Sequence, residues 1–137
     1  MTVELLGIIT ESLHGTKTVL ESSELFTGQT LNGEARLYFK NGNQYEGNMN
    51  NGVMDGTGTF RWKDGVVYKG AFVNNSMDGK GRYEWPDGSV YEGDIRQGLR
   101  EGNGTFSTHT TKESITYTGE WKNGLKHGHG ELRYHNR

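Results

Sequence analysis

The chain has 137 residues, about one domain's length, of which only 31% are apolar; an average globular chain has roughly 45–50%, so a thick two-sided core is not expected. A net charge of −2 gives no bulk attraction for nucleic acid or an anionic membrane, and the lack of cysteine excludes disulfides, a thiolate nucleophile and a cysteine metal site. The apolar stretch "LLGII" is too short for a signal-peptide core or a membrane span, so a soluble intracellular protein is expected.

Residues 1–32 carry no regular pattern. Either Leu13-His14-Gly15 or Phe26-Thr27-Gly28 could be a worn form of the Tyr-x-Gly motif that follows, but neither keeps its spacing. The segment is read as a diverged N-terminal cap over the first edge strand, and any helix is expected there. Residues 33–44 form a half unit: "GEARLYFKNG" (33–42) aligns with "GTGTFRWKDG" (56–65), with Ala35 in place of the second glycine.

Full units begin at Tyr45, Tyr68, Tyr91 and Tyr117. The first three open "YEG", "YKG" and "YEG" at intervals of 23 residues, and "YTG" follows after 26. The pairs Gly56/Gly58, Gly79/Gly81, Gly102/Gly104 and Gly128/Gly130 keep the same register, so the array runs over 33–137. Of the 22 glycines only Gly7, Gly15 and Gly28 fall off this grid, which rules out a flexible linker.

Inside each unit the period is two. Tyr68, Gly70 and Phe72 share one face, and Lys69, Ala71 and Val73 the other. After a turn, Gly79, Gly81, Tyr83 and Trp85 oppose Lys80, Arg82 and Glu84. The turns "NNG" 50–52, "KDG" 63–65, "PDG" 86–88 and "KNG" 122–124 have turn chemistry, and Asn75 replaces glycine in the second unit because asparagine tolerates φ > 0. The expected fold is all-β: an elongated single-layer antiparallel β-meander of hairpins. Every strand glycine is placed on the aromatic face, where a neighbouring ring can lie over bare backbone; bulges are the weaker explanation.

This pattern resembles the MORN repeat, whose core is Y-x-G, an NG-type turn, then G-x-G. The resemblance covers roughly residues 33–137. Within that family the chain is similar to the radial spoke head protein 10 homolog B group of ciliary axonemes. The residues that carry this likeness are the lead "IITESLHG" (8–15), "WPDGSVYEGDIRQGLREGNGTF" (85–106) and the lengthened link "STHTTKESITYTGEWKNGLKHGHG" (107–130), which gains three residues and loses an Asp-Gly turn.

No catalytic constellation is visible. His127 and His129 share a strand face, with His135 beyond, but His127 occupies a position where MORN units commonly carry histidine, and no carboxylate or cysteine completes a metal site. Glu46 and Glu92 are read as solvated charge pairs with cross-strand cations. "GNGTF" precedes no helix that could hold a phosphate. No enzyme activity, cofactor or metal is expected.

The aromatic face is the candidate functional surface. It is assigned Tyr45, Phe60 and Trp62 in the first unit and Tyr68, Phe72, Tyr83 and Trp85 in the second. Tyr91, Tyr117 and Trp121 extend it through the third and fourth. A partly open stripe of Tyr and Trp suits protein binding. The resemblance implies the same: an elongated groove that holds partner proteins, here as a cytoskeletal scaffold in the radial spoke head of a cilium or flagellum. Self-association through the sheet is a further possibility. The alternatives are a phospholipid-binding or membrane-recruiting module, disfavoured by the mixed charge of the polar face, and the regulatory repeat domain of a larger enzyme, which requires the natural chain to continue past Arg137. A carbohydrate or choline binder is disfavoured by the order of glycines and aromatics.

Overall fold

The structure, a computed structural model, describes residues 8–12, 17–20, 32–109 and 112–136. Among them eleven strands form one antiparallel sheet, with no helix. Strands β1 (Ile8–Ser12) and β2 (Lys17–Leu20) lie at one end. Then come β3 (Gly33–Phe39), β4 (Gln44–Asn50), β5 (Val53–Arg61), β6 (Val67–Val73), β7 (Ser76–Glu84), β8 (Val90–Arg96), β9 (Leu99–His109), β10 (Glu113–Lys122) and β11 (Leu125–Asn136). From β3 onward each strand pairs with the next in sequence. At the N-terminal end β1 pairs with β3, from Ile8 opposite Phe39 to Ser12 opposite Ala35. The two worn-motif candidates at 13–15 and 26–28 lie outside the described residues.

The hairpin turns inside the units follow from backbone sterics. Both central residues have positive φ: Asn51 and Gly52 (49° and 81°), Asn74 and Asn75 (51° and 69°), Gln97 and Gly98 (49° and 80°), Asn123 and Gly124 (52° and 81°). This is the type I′ turn, whose twist matches that of the strands it joins. The turns also tie neighbouring units together. The N–H of Asn75, Gly98 and Gly124 donates to the carbonyl of Met54, Met77 and Arg100 respectively, at 2.8–2.9 Å. Asn75 adds a bond that glycine cannot make: its Oδ1 accepts the Met54 N–H at 2.8 Å. We expect Asn75→Gly to keep the turn but lower stability by about 1 kcal/mol, measured by urea denaturation. Asn75→Ala should cost more, because alanine also resists the positive φ.

The glycines of the G-x-G pairs divide into two sets. The Tyr45 ring lies against Gly58, Tyr68 against Gly81, Tyr91 against Gly104 and Tyr117 against Gly130. These second glycines of each G-x-G are covered as alternation predicts. The first glycines are not. Gly56, Gly79, Gly102 and Gly128 have φ of 111°, 115°, 77° and 57°, and lie beside the side chains of Asn48, Ala71, Asp94 and Glu120, which alternation puts on the opposite face. The pairing register shifts at this point in every unit, after Gly47, Gly70, Gly93 and Gly119. The first glycine therefore belongs to a β-bulge, which inserts residues on one strand and requires a conformation that side chains resist. The expectation that all strand glycines serve aromatic packing is corrected for these four.

The bulge also explains the tyrosines. It frees one carbonyl from the ladder, and a buried carbonyl needs a partner. The hydroxyls of Tyr45, Tyr68, Tyr91 and Tyr117 donate to the carbonyls of Asn48, Ala71, Asp94 and Glu120, at 2.7, 2.8, 2.7 and 2.9 Å. A ring tethered three residues along its own strand lies down on the sheet, over glycine, and does not project from it. That is how a single layer buries its aromatics. Phe72 then packs edge-on between Tyr45 and Tyr68 (5.1 and 5.3 Å), and Trp121 between Tyr91 and Tyr117 (5.4 and 5.3 Å).

Burial pushes the Tyr83 and Tyr91 hydroxyls up to about 12 and raises those of Tyr45 and Tyr68 as well. A phenol with a higher pKa folded than unfolded stabilises the fold below its unfolded value of about 10, and that stability is lost as pH rises toward the folded value. We expect the melting temperature to hold up to pH ~10 and fall steeply toward pH ~12. Full tyrosinate absorbance near pH ~10 with the sheet intact would contradict this burial.

The last link is longer than the others by three residues, and the strands on either side of it are longer too. Strands β9 and β10 have 11 and 10 residues where β7 and β8 have 9 and 7, and Ser114 pairs with His109.

Candidate protein-interaction groove

Trp62 and Trp85 sit where β5 and β7 end. Each anchors an Asp-Gly turn through its backbone: Trp62 N–H donates to the Val66 carbonyl and Gly65 N–H to the Trp62 carbonyl, and Trp85 pairs in the same way with Ser89 and Gly88, at 2.9–3.0 Å. Asp64 and Asp87 brace these turns, their Oδ1 atoms accepting the N–H of Val66 (3.1 Å) and Ser89 (2.8 Å). The indole rings are therefore fixed at one rim of the sheet. Trp62 and Trp85 both stack on Tyr83, at 6.1 and 5.5 Å with planes 27° and 23° apart. The Tyr83 hydroxyl donates to the Gly98 carbonyl at 2.6 Å, which holds the central ring down.

Between the two tryptophans lies a cleft of about 290 Å³, with Val66, Leu99 and Arg100 in its walls. A second depression of about 510 Å³ continues it across Phe106, Trp121, Leu125 and Lys126. Arg100 and Gly124 border both, so the groove runs across the strands from β5 to β11.

The ten residues assigned to the binding face from the sequence divide unevenly. Tyr45, Phe60, Tyr68, Phe72, Tyr83, Tyr91, Tyr117 and Trp121 are buried within the chain itself, none more than 9% exposed. Trp62 and Trp85 are only partly buried and open onto the groove, as Phe106 does. Leu99 and Leu125, exposed apolar residues just after their turns, and the cations Arg100 and Lys126 complete it. Neither of these two cations was assigned to a face from the sequence. The signal was available, because Met54, Met77, Arg100 and Lys126 occupy one position of the repeat.

The opposite face carries the expected charge pairs. Arg36 pairs with Glu46 (3.6 Å), Lys69 with Glu84 (3.7 Å), Lys80 with Asp94, and Arg82 with both Glu84 (2.9 Å) and Glu92. The Arg82 hydrogen bond holds Glu84 below the usual carboxylate range, and Lys80 does the same for Asp94. Among the described residues no group of three or more histidines and carboxylates is placed to hold a metal ion. The His129 N–H donates to Glu120 Oε2 at 2.5 Å.

The rings, bulges and I′ turns recur in each unit, and the family model for the MORN repeat matches residues 45–67, 68–90, 91–108 and 117–137. The chain belongs to the MORN-repeat family. Each matched MORN unit begins at the tyrosine whose ring covers the second glycine of its own G-x-G. The groove crosses all four MORN units, and of the buried tyrosines Tyr83 lines it. No curated protein matches the chain.

Proposed function

We propose that this MORN array is a non-enzymatic scaffold that holds segments of other proteins in the groove between Trp62 and Lys126. The carrying observation is the pair of partly open tryptophans on a rigid rim, above a layer of rings already satisfied by one another. Aromatic anchors beside a preformed recess are where interface energy concentrates. The MORN repeat itself supports a role in protein or membrane interaction. Protein is favoured because the open aromatics line a recess and the outer face is of mixed charge.

We further propose that the partners are subunits of the radial spoke head in a ciliary or flagellar axoneme. This rests on the likeness of residues 8–15, 85–106 and 107–130 to the radial spoke head protein 10 homolog B group. Affinity purification from ciliated cells, comparing the wild type with Trp85→Ala, tests both parts. Axonemal proteins recovered with the wild type and lost with the variant are expected. Recovery of lipid, or of one soluble enzyme, would remove the axonemal assignment.

With a purified partner, Trp62→Ala and Trp85→Ala should each weaken binding by about 2 kcal/mol or more, read by calorimetry. Both rings are only partly buried and their turns are held by backbone hydrogen bonds, so the sheet should survive. Reversing Lys69 and Arg82 together, on the outer face, should leave binding almost unchanged at moderate salt. The opposite pattern would move the functional surface to the charged face.

A further inference from the structure

Two cations lie on the wrong side of the sheet. In successive units Met49 pairs with Met54, Phe72 with Met77, Ile95 with Arg100 and Trp121 with Lys126. One position of the repeat thus holds a fully buried methionine in the first two units and a cation in the last two. The Arg100 guanidinium lies 4.6 Å from the Trp121 ring, 5.5 Å from Phe106 and 5.8 Å from Trp85. Its Nη2 donates to the Gly124 carbonyl at 2.7 Å. Lys126 Nζ sits 5.1 Å from the Tyr117 ring.

Arg36, Lys69, Lys80, Arg82 and Arg133, on the outer face, each have a carboxylate partner, and the outer-face cations without one, Arg61, Arg96 and Lys122, are exposed to water. Among the described residues Arg100 and Lys126 have none within ion-pair distance. Asp64, the carboxylate that borders the cleft, has its Oδ1 taken by the Val66 N–H. Burial lowers the basicity of Arg100, as expected of a cation partly removed from water without a counter-charge. A guanidinium has five N–H donors, so most of the Arg100 fork remains free for a planar acceptor.

We propose that the groove's occupant is an acidic segment of a partner protein, with carboxylates for Arg100 and Lys126 and an adjoining apolar side chain for the cleft between Trp62 and Trp85. This rests on the reading of the groove as a protein-binding surface and names the chemistry of what it takes. Arg100 on β9 and Lys126 on β11 are two strands apart, about 10 Å. Both border one depression, so a segment rich in carboxylates can meet the pair together. The cations also lie among rings in a recess that a peptide can enter, whereas a flat anionic membrane would be met better by an exposed basic plane.

Arg100→Met with Lys126→Met tests this, because methionine is what the first two units carry at that position; circular dichroism and melting verify the fold. A library of random short peptides is selected on the wild type and on this double variant. Wild type is expected to enrich Asp or Glu beside an apolar residue. The best peptide should bind the double variant at least about tenfold more weakly, a loss typical of a broken desolvated ion pair. Changing its acidic residues to amides should cause a similar loss, and the two losses should not add. If the enriched peptides lack acidic residues and bind both proteins equally, but need Trp85, the groove stands and the acidic partner is wrong. If no enriched peptide depends on Trp85, the groove reading itself fails. Binding to phosphatidylserine vesicles that the double variant loses would replace the acidic segment with a lipid headgroup.

Discussion

Gly81→Val is expected to destabilise the protein by about 3 kcal/mol, the upper part of the range for overpacking, although valine has the higher β-propensity. A methyl group at Gly81 would lie against Cε1 of the Tyr68 ring and 2.6 Å from its hydroxyl oxygen. The ring cannot swing aside. Its hydroxyl is held by the Ala71 carbonyl, and its flanks by Phe72 at 5.3 Å and Tyr83 at 5.1 Å. The strands cannot separate cheaply either. Gly81 pairs with Gly70, and a Cβ at Gly70 would stand 2.6 Å from the Gly81 Cα, so the two backbones are packed for glycine on both sides. Lys80→Val, one residue away, should change stability by no more than about 0.5 kcal/mol, since it loses one exposed ion pair to Asp94. Denaturant midpoints decide the matter, and equal losses would show that the two faces are wrongly assigned.

Tyr68→Ala should cost about 3–5 kcal/mol, the range for truncating a fully buried aromatic. It removes a ring that touches Phe72 and Tyr83 and covers Gly81, and leaves the Ala71 carbonyl without its donor. Tyr68→Phe separates the two contributions: it keeps the ring and loses the hydroxyl, at about 1 kcal/mol. In a linear repeat each unit contacts mainly its neighbours, so the damage should be local. Hydrogen exchange in Tyr68→Ala should accelerate in β5 to β8 while β10 and β11 keep their protection. Uniform acceleration along the chain would mean that the array unfolds as one cooperative block.

Two side chains of the groove were legible from spacing, and the reason lies in particular residues. Trp62 and Trp85 precede Asp-Gly turns, so their place at a rim follows from the order of motifs alone. The other eight aromatics were assigned to the same surface because alternation reports which face a side chain is on, and says nothing about how deep it lies. Tyr45 and Trp62 share a face; one is 1% exposed and the other opens onto the cleft. Arg100 was missed for a related reason. Charge is a good guide to an exposed face on average, and here a cation sits where the earlier units carry buried methionine.

The all-β class, the hairpin order and the turn type were determined by the sequence itself. They depend on local properties: a period of two, residues that accept positive φ, and β-branched and aromatic residues between them. Asn74-Asn75 forms the same I′ turn as Asn-Gly because the constraint is steric and belongs to the turn itself. Only the tertiary structure decided the bulge, because an inserted residue exists only relative to the strand beside it. With the bulge came the freed carbonyls, the flat tyrosines that cap them and the depth of the buried layer. What was left open above that layer, two tryptophans and two unpaired cations, is a difference between neighbouring strands, and no single strand's pattern contains it.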